Sequence, residues 1–220
     1  MQTVGTAKEA QAAVGNGVDV VVAQGWEAGG HVWRNVATMA LIPTVVDAIA
    51  PVPVVAAGAI ADGRGLAATL ALGASGEWIG TRFLASKEVA IHPHYRARLF
   101  NASENDTVQL DNLFDVGWPA AAHRVLHNTT VANWLAAGRP EPGKRQGEGE
   151  IIAYSKSVGN IFRYQCSTPD PEAEDEIKAM SMWAGQGVGL VTKLQSAAEI
   201  VHEINSEAAA ILKRLGSPLG

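Results

Sequence analysis

The chain reads as an α/β protein of the (β/α)8 barrel class, present as the C-terminal half of the barrel followed by a C-terminal extension. Three observations predict this. Short apolar runs, Val18-Asp19-Val20-Val21-Val22, Pro53-Val54-Val55-Ala56-Ala57 and Glu77-Trp78-Ile79, have the β-branched character of buried strands. Each opens into a glycine-bearing loop, and the second and third enclose a helical run, Leu66-Ala67-Ala68-Thr69-Leu70-Ala71-Leu72, stopped by Gly73. The resulting βαβ unit carries anion-binding turns at two neighbouring strand ends, where free backbone N–H groups and a helix N-terminus suit phosphate. Barrels of this class hold phosphate on the loops after their seventh and eighth strands. A dinucleotide-binding sheet fits worse, because no G-x-G-x-x-G directly follows a strand.

Taken in order, strands are expected at residues 2–4, 18–23, 52–57 and 77–80, with helices at 7–16, 43–50 and 64–73. A barrel needs about 250 residues, and the four strands end before residue 85. If the last two are the seventh and eighth, the chain begins at the fifth, and the sheet keeps two open edges. Residues 83–100 look helical, with a basic end at Arg96-Ala97-Arg98. From 101 to 171 periodicity is weak: residues 111–119 read as an ordered loop anchored by aromatics, and 140–150 as an exposed turn-rich stretch. A helix is expected from 171 to 182, with Glu172, Glu174, Asp175 and Glu176 favourably placed in its first turns. Residues 196–215 set Ile200, Val201, Ile204, Ala208, Ile211 and Leu212 on one helical face. The expected division is a half-barrel at 1–100, a loop-rich excursion at 101–171 and helices packing back at 172–220.

Composition bounds the function. With 220 residues, 47% hydrophobic and 18% charged, the chain is ordinary for a globular protein. A net charge of −5 with scattered Lys and Arg argues against nucleic acid. No apolar run is long enough for a bilayer, and the N-terminus lacks signal-peptide character. The single Cys166 excludes an internal disulfide and fits a cytoplasmic setting. The terminal helix also permits a homodimer contact.

The segment Ala23-Gln24-Gly25-Trp26-Glu27-Ala28-Gly29-Gly30-His31 is the most informative. Glycines let backbone approach a flat or charged ligand. Gln24 offers both a donor and an acceptor, and His31 is the one side chain there that exchanges a proton near neutrality. The bland alternative is a glycine-rich loop with a solvated histidine. No metal site is expected: Pro93 separates His92 from His94, and His123 and His127, four apart on an expected helix, lack the Glu of H-E-x-x-H, residue 124 being Arg. The first reads as a loop or helix break, the second as a pair of ordinary surface histidines.

The segments AQGWEAGGH, PVVAAGAIADGRGLAATLALGA and WIGTRFLAS together resemble the signature segments of the nitronate monooxygenases, FMN enzymes on a TIM barrel. The resemblance runs from about Thr3 to Arg98, and MWAGQGVGL at 182–190 is similar to that family's closing segment. An E-A/S-G-G-H segment is shared with the FMN-dependent enoyl-acyl-carrier-protein reductases. The resemblance implies an FMN-binding barrel and an oxidoreductase acting on a nitronate or nitroalkane with O2. It places Gln24 and Gly29 at the flavin ring and ribityl chain, and Trp78 and Ile79 at the cofactor-facing strand end. Gly58, Ala59, Gly80 and Thr81 would hold the phosphate, mainly by backbone N–H, with the Thr81 hydroxyl assisting. His31 would be the catalytic base, removing the α-proton of a nitroalkane. One departure matters: the family usually has glycine where Ala59 stands, and a requirement for positive φ there would weaken FMN binding. Val32-Trp33 suggests an apolar substrate pocket. Trp183 or Gln186 lines the flavin pocket, or the neighbouring glycines serve only close packing. Two further readings stay open, an NAD(P)H-dependent enoyl reductase and an inactive truncated fragment that retains no flavin.

Overall fold

A computed structural model describes residues 1–33 and 35–216. Its first half runs β1 (Gln2–Val4), α1 (Ala7–Gly15), β2 (Val21–Gln24), β3 (Gly30–His31), α2 (Thr38–Ile49), β4 (Val54–Ala57), α3 (Gly63–Ala71) and β5 (Gly76–Trp78). Strands β1, β2, β4 and β5 form a parallel sheet in that order, the βα topology of a barrel wall with β1 and β5 as its edges. The register aligns Val4, Ala23, Ala56 and Glu77 in one row. That row, with Val21 and Val54, packs on Ala10, Ala13, Leu41, Ile42 and Val45 of the helices. The opposite rows carry Thr3, Val55 and Trp78, and Trp78 is 58% exposed.

Helix starts follow from local chemistry. The Thr6 hydroxyl accepts from Glu9 N–H at 3.2 Å while Glu9 accepts from Gly5 N–H at 2.9 Å. Asp62 caps α3 through Arg64 N–H and Gly65 N–H. Helix α2 starts at Thr38, five residues ahead of the expected Pro43. The residue before it, Ala37, cannot cap, so the Glu27 carboxylate does: it accepts from Thr38 N–H at 3.0 Å and from the Thr38 hydroxyl at 2.9 Å. Pro43 then sits inside the helix, at the cost of the bond it would have given to the carbonyl of exposed Met39.

After a 3₁₀ turn at Thr81–Ala85, the second half runs α4 (Pro93–Phe100), β6 (Thr107–Leu110), β7 (His123–Leu126), α5 (Thr129–Ala136), β8 (Ile151–Ser155), β9 (Gly159–Phe162), β10 (Glu174–Asp175) and α6 (Ala197–Leu215). The helix expected over 83–100 is split, because Pro93 opens a helix at its first turn, with His92 Nδ1 accepting from His94 N–H at 3.0 Å. The helix expected through His123 and His127 is instead strand β7, paired antiparallel with β6 and β3. Four consecutive buried residues, His123 to Leu126, need cover on both faces, which a surface helix does not give. The helix expected at 171–182 is also absent: Glu174 and Asp175 pair with β8, and residues 177–179 form one 3₁₀ turn. Its acidic residues stay exposed and supply no apolar stripe.

Strands β6 to β9 give the 101–171 stretch more regular structure than its weak periodicity suggested. Helix α6 forms as expected, opened by a Ser196–Glu199 capping box. It buries Ile200, Ile204 and Ala208, while Val201 and Leu212 are exposed, so its stripe is narrower than expected. It lies directly on α3: a Cβ at Gly63 would meet Ala208 N at 2.5 Å, and Gly63 N–H donates to Glu207 at 2.8 Å. Among the described residues no helix is long and apolar enough to cross a membrane.

Candidate active site

The strand ends of the parallel sheet meet the 182–190 segment around one cavity of about 160 Å³. Gln24, Gly29, Gly58, Ala59, Trp78, Ile79, Gly80 and Thr81 all line it, joined by Gly185 and Gly187. The structure therefore brings every expected cofactor residue to one place. The volume is below the roughly 300–1,000 Å³ of an ordinary cofactor pocket, which suits a phosphate end rather than a whole flavin.

The glycines are there because backbone passes close to backbone. A Cβ at Gly25 would overlap Thr38, the residue capped by Glu27. At Gly29 a Cβ would stand 2.4 Å from Gly185 N, and at Gly185 one would stand 2.7 Å from Glu27 O. Gln186 N–H donates to Glu27 O at 2.9 Å. The first motif and the closing segment thus interlock, and the glycines both pack and line the cavity. Gly58 has φ +118° and Ala59 has φ +56°, so the loop after β4 turns through the left-handed region at both residues. Among the described residues, no protein acceptor takes the N–H of Gly58, Ala59, Gly80 or Thr81 in the loop and turn bonds. Thr81 Oγ1 accepts from Gly185 N–H at 2.9 Å, which leaves its own hydroxyl proton to donate. Free N–H groups around a glycine-walled cavity form the donor set a phosphate requires.

Gln24 lines the cavity but spends its amide on the protein. Its Nε2 donates to His31 O at 3.0 Å, and its Oε1 accepts from Trp33 N–H at 2.8 Å. It works as a clamp on the backbone of β3 and ties His31 to the cavity wall.

His31 lies beside the cavity rather than in its lining, within an aromatic cluster. Its ring is 4.3 Å from that of Trp118, 5.6 Å from Trp183 and 6.2 Å from His123. His31 and His123 are directly opposite in the β3–β7 pairing, which puts both side chains on one face. His123 is fully buried, and its Nδ1 lies 2.9 Å from the Ala121 carbonyl. A carbonyl can only accept, so Nδ1 carries the proton and Nε2 carries a lone pair. Both His31 Nε2 and His123 Nε2 are buried without a protein partner. Burial holds both rings below the usual histidine range; for His123 the nearby His31 adds to that, against the Ala121 carbonyl and Asp111 and Asp115. Two neutral imidazoles with unused nitrogens, walled by indoles, form a proton-accepting site in apolar surroundings.

His123 and Trp118 were not expected at the site. The local sequence around His123 shows no clean alternation; the usable signal was its partner, Thr107-Val108-Gln109-Leu110, whose composition favours a strand. Trp118 comes from the aromatic loop, where Gly117 has φ +96° and Ala120 has φ +56°. It is 57% exposed although its ring lies against His31. No group of three or more His, Cys, Asp or Glu able to hold a metal occurs among the described residues.

A barrel-type parallel sheet with a glycine-walled cavity at its strand ends, and a histidine tied to that wall, defines a protein of the α/β barrel class. The comparisons narrow the class: a family model for nitronate monooxygenase matches residues 1–207, and the chain belongs to that family. It is 38% identical over 205 residues to nitronate monooxygenase npaC of Metarhizium robertsii, across 88% of this chain and 53% of that one. Among solved structures it is similar to FabK from Thermotoga maritima, with TM-score 0.76 and 29% identity over 97% of this chain and 61% of that one. It is also similar to nitroalkane oxidase from Streptomyces ansochromogenes, with TM-score 0.70 and 25% identity over 97% and 58%. The chain spans about half the length of the curated relatives it matches.

Proposed function

We propose that the chain carries the phosphate-anchoring and proton-abstracting part of an FMN-dependent oxidoreductase that oxidises alkyl nitronates or nitroalkanes with O2. The observation that carries this reading is the single cavity lined by both glycine loops, with backbone N–H groups free of protein acceptors. Gly58, Ala59, Gly80 and Thr81 would hold the FMN phosphate, and Trp78 and Ile79 would flank the chain leading from it. Bound FMN would supply an electron acceptor that oxygen can regenerate.

The protein's part is positional and protonic. Gln24 fixes the His31 backbone, and Trp118 and Trp183 lie against its ring. A neutral His31 would take the α-proton of a nitroalkane, leaving the nitronate in place. The indoles give that site an apolar wall, which favours alkyl-substituted substrates. A substrate supplied as nitronate has already lost this proton and depends less on His31.

The likeness to FabK keeps a second reading in view, a flavin reductase using NAD(P)H on an enoyl thioester. An absorbance spectrum after incubation with FMN and desalting separates binding from no binding. Oxygen uptake with a propyl nitronate, compared with flavin bleaching by NADPH, then separates the two reactions, with His31→Ala as control. Retained flavin with nitronate-dependent oxygen uptake supports the reading; flavin bleached only by NADPH sinks it in favour of the reductase, and a colourless protein sinks both for this chain.

A further inference from the structure

On the second half of the chain, away from the glycine loops, a cleft of about 410 Å³ gathers positive charge in an acidic protein. His94 and Arg98 line it from α4, four residues apart and so on one helical face. His127 enters from the turn between β7 and α5, and Lys178 from the 177–179 turn. Arg98 donates from Nη2 to the His127 carbonyl at 3.0 Å, which fixes the guanidinium at the cleft wall. Among the described residues neither Arg98 nor Lys178 forms an ion pair with a carboxylate. Asp106 feels Arg98 and His127, and its oxygen is taken by Ser103 N–H at 2.7 Å and the Ser103 hydroxyl at 2.8 Å. His94 is held below the usual histidine range, first by burial and then by the charges of Lys178, His92 and Arg98. Arg98 and Lys178 thus bring two positive charges to the cleft from two elements, and His94 and His127 add ring nitrogens beside them.

We propose that this cleft is an anion site that takes a phosphoryl group between Arg98, Lys178, His94 and His127, separate from the glycine-loop cavity. Separate donors approaching from different sides match the tetrahedral oxygens of phosphate, whereas a planar carboxylate is satisfied by one guanidinium fork. Free phosphate and a phosphate ester present the same phosphoryl oxygens, and the two sources are told apart by measurement.

The test follows the ring C–H signals of His94 and His127 by NMR at pH 6.5, with inorganic phosphate titrated at constant ionic strength against chloride. Saturable shifts of both rings are expected, with the titration midpoint of His94 moving up when phosphate is present. Lys178→Gln and Arg98→Gln should each weaken binding about tenfold, the loss of one charge-assisted hydrogen bond. Adenosine monophosphate forms the second arm: affinity equal to phosphate supports free phosphate as the ligand, and tighter binding supports an ester. Phosphate held only at the glycine loops leaves both rings unmoved and overturns the proposal. So does a response no larger than that to chloride, or one that survives in the Arg98→Gln, Lys178→Gln double variant. Lys178 is exposed and bears no fold contact through its ammonium, so its variant reads the site rather than folding.

Discussion

Ala59 holds φ +56°, a conformation that costs a non-glycine residue about 1–2 kcal/mol. Its side chain therefore gains nothing for the loop, while its N–H is one of the free donors at the cavity. Ala59→Gly is expected to tighten FMN binding by up to about fivefold, the equivalent of about 1 kcal/mol, and to leave the melting temperature unchanged or raised. Fluorescence titration of FMN checks it; unchanged affinity would show that the alanine costs the loop the same with and without phosphate bound. At His31 the prediction concerns pH. Burial lowers its pKa, as it does for His123, so the folded state favours neutral rings that the unfolded chain protonates more readily. The unfolded state then binds more protons below about pH 6.5, and stability should fall as pH drops through that value. The rate of nitroalkane turnover should fall on the same side, with a midpoint below 6.5, while turnover of a preformed nitronate stays flatter. Parallel pH profiles for the two substrates decide this, since coincident profiles would remove His31 from the proton-transfer step.

Among the elements, β5 carries the feature least expected of a barrel wall. Glu77 faces the helices in a row otherwise made of Val4, Ala23 and Ala56. Thr69 donates to one carboxyl oxygen at 2.8 Å, and the other is buried without a partner. Burial outweighs the Thr69 bond and pushes its pKa up to about 7. The folded state thus holds a proton that the unfolded chain releases near pH 4.5, and stability falls as pH rises from there to about 7. Glu77→Gln keeps the acceptor for Thr69 and removes the charge. It should stabilise the protein by up to about 3 kcal/mol at pH 8 and change little at pH 4.5. Urea unfolding at both pH values measures this, and an equal effect at the two would refute it.

The same comparison of elements shows what was legible in the chain. Strands β1, β2, β4 and β5 and helices α1, α3 and α6 were readable because each has a local signal: a β-branched run, a capping residue or an apolar stripe. The glycine loops were readable for the same reason, whereas the residues that line the cavity were expected from the family resemblance, which did not include Gly185 and Gly187. What was not readable depends on distant partners. Helix α2 begins where Glu27 reaches it, β7 is a strand only because β6 and β3 flank it, and His123 reaches the site through that pairing.

For the whole molecule, the decisive fact is that four parallel strands cannot close. Eight complete a barrel of this class; among the described residues β1 and β5 end the sheet, each with one side of its ladder unpaired. Behind them, the face opposite the helices leaves Thr3 and Trp78 exposed. The sheet core of Val4, Val21, Leu41 and Ile42 is well buried, so Glu77 apart the helical side is well packed. The open ladders lie on the edges, the feature that templates pairing with another chain. For the 220-residue polypeptide taken by itself, self-association through these edges is therefore expected in solution. Sedimentation between about 5 and 200 μM, a range that brackets weak pairing, should show mass rising with concentration. Thr3→Lys, which places a charge on the edge strand without touching the helical core, should shift the association to higher concentration and leave the far-ultraviolet spectrum intact. A chain that stays monomeric throughout would mean that the edges are shielded by their shortness, three residues each in β1 and β5.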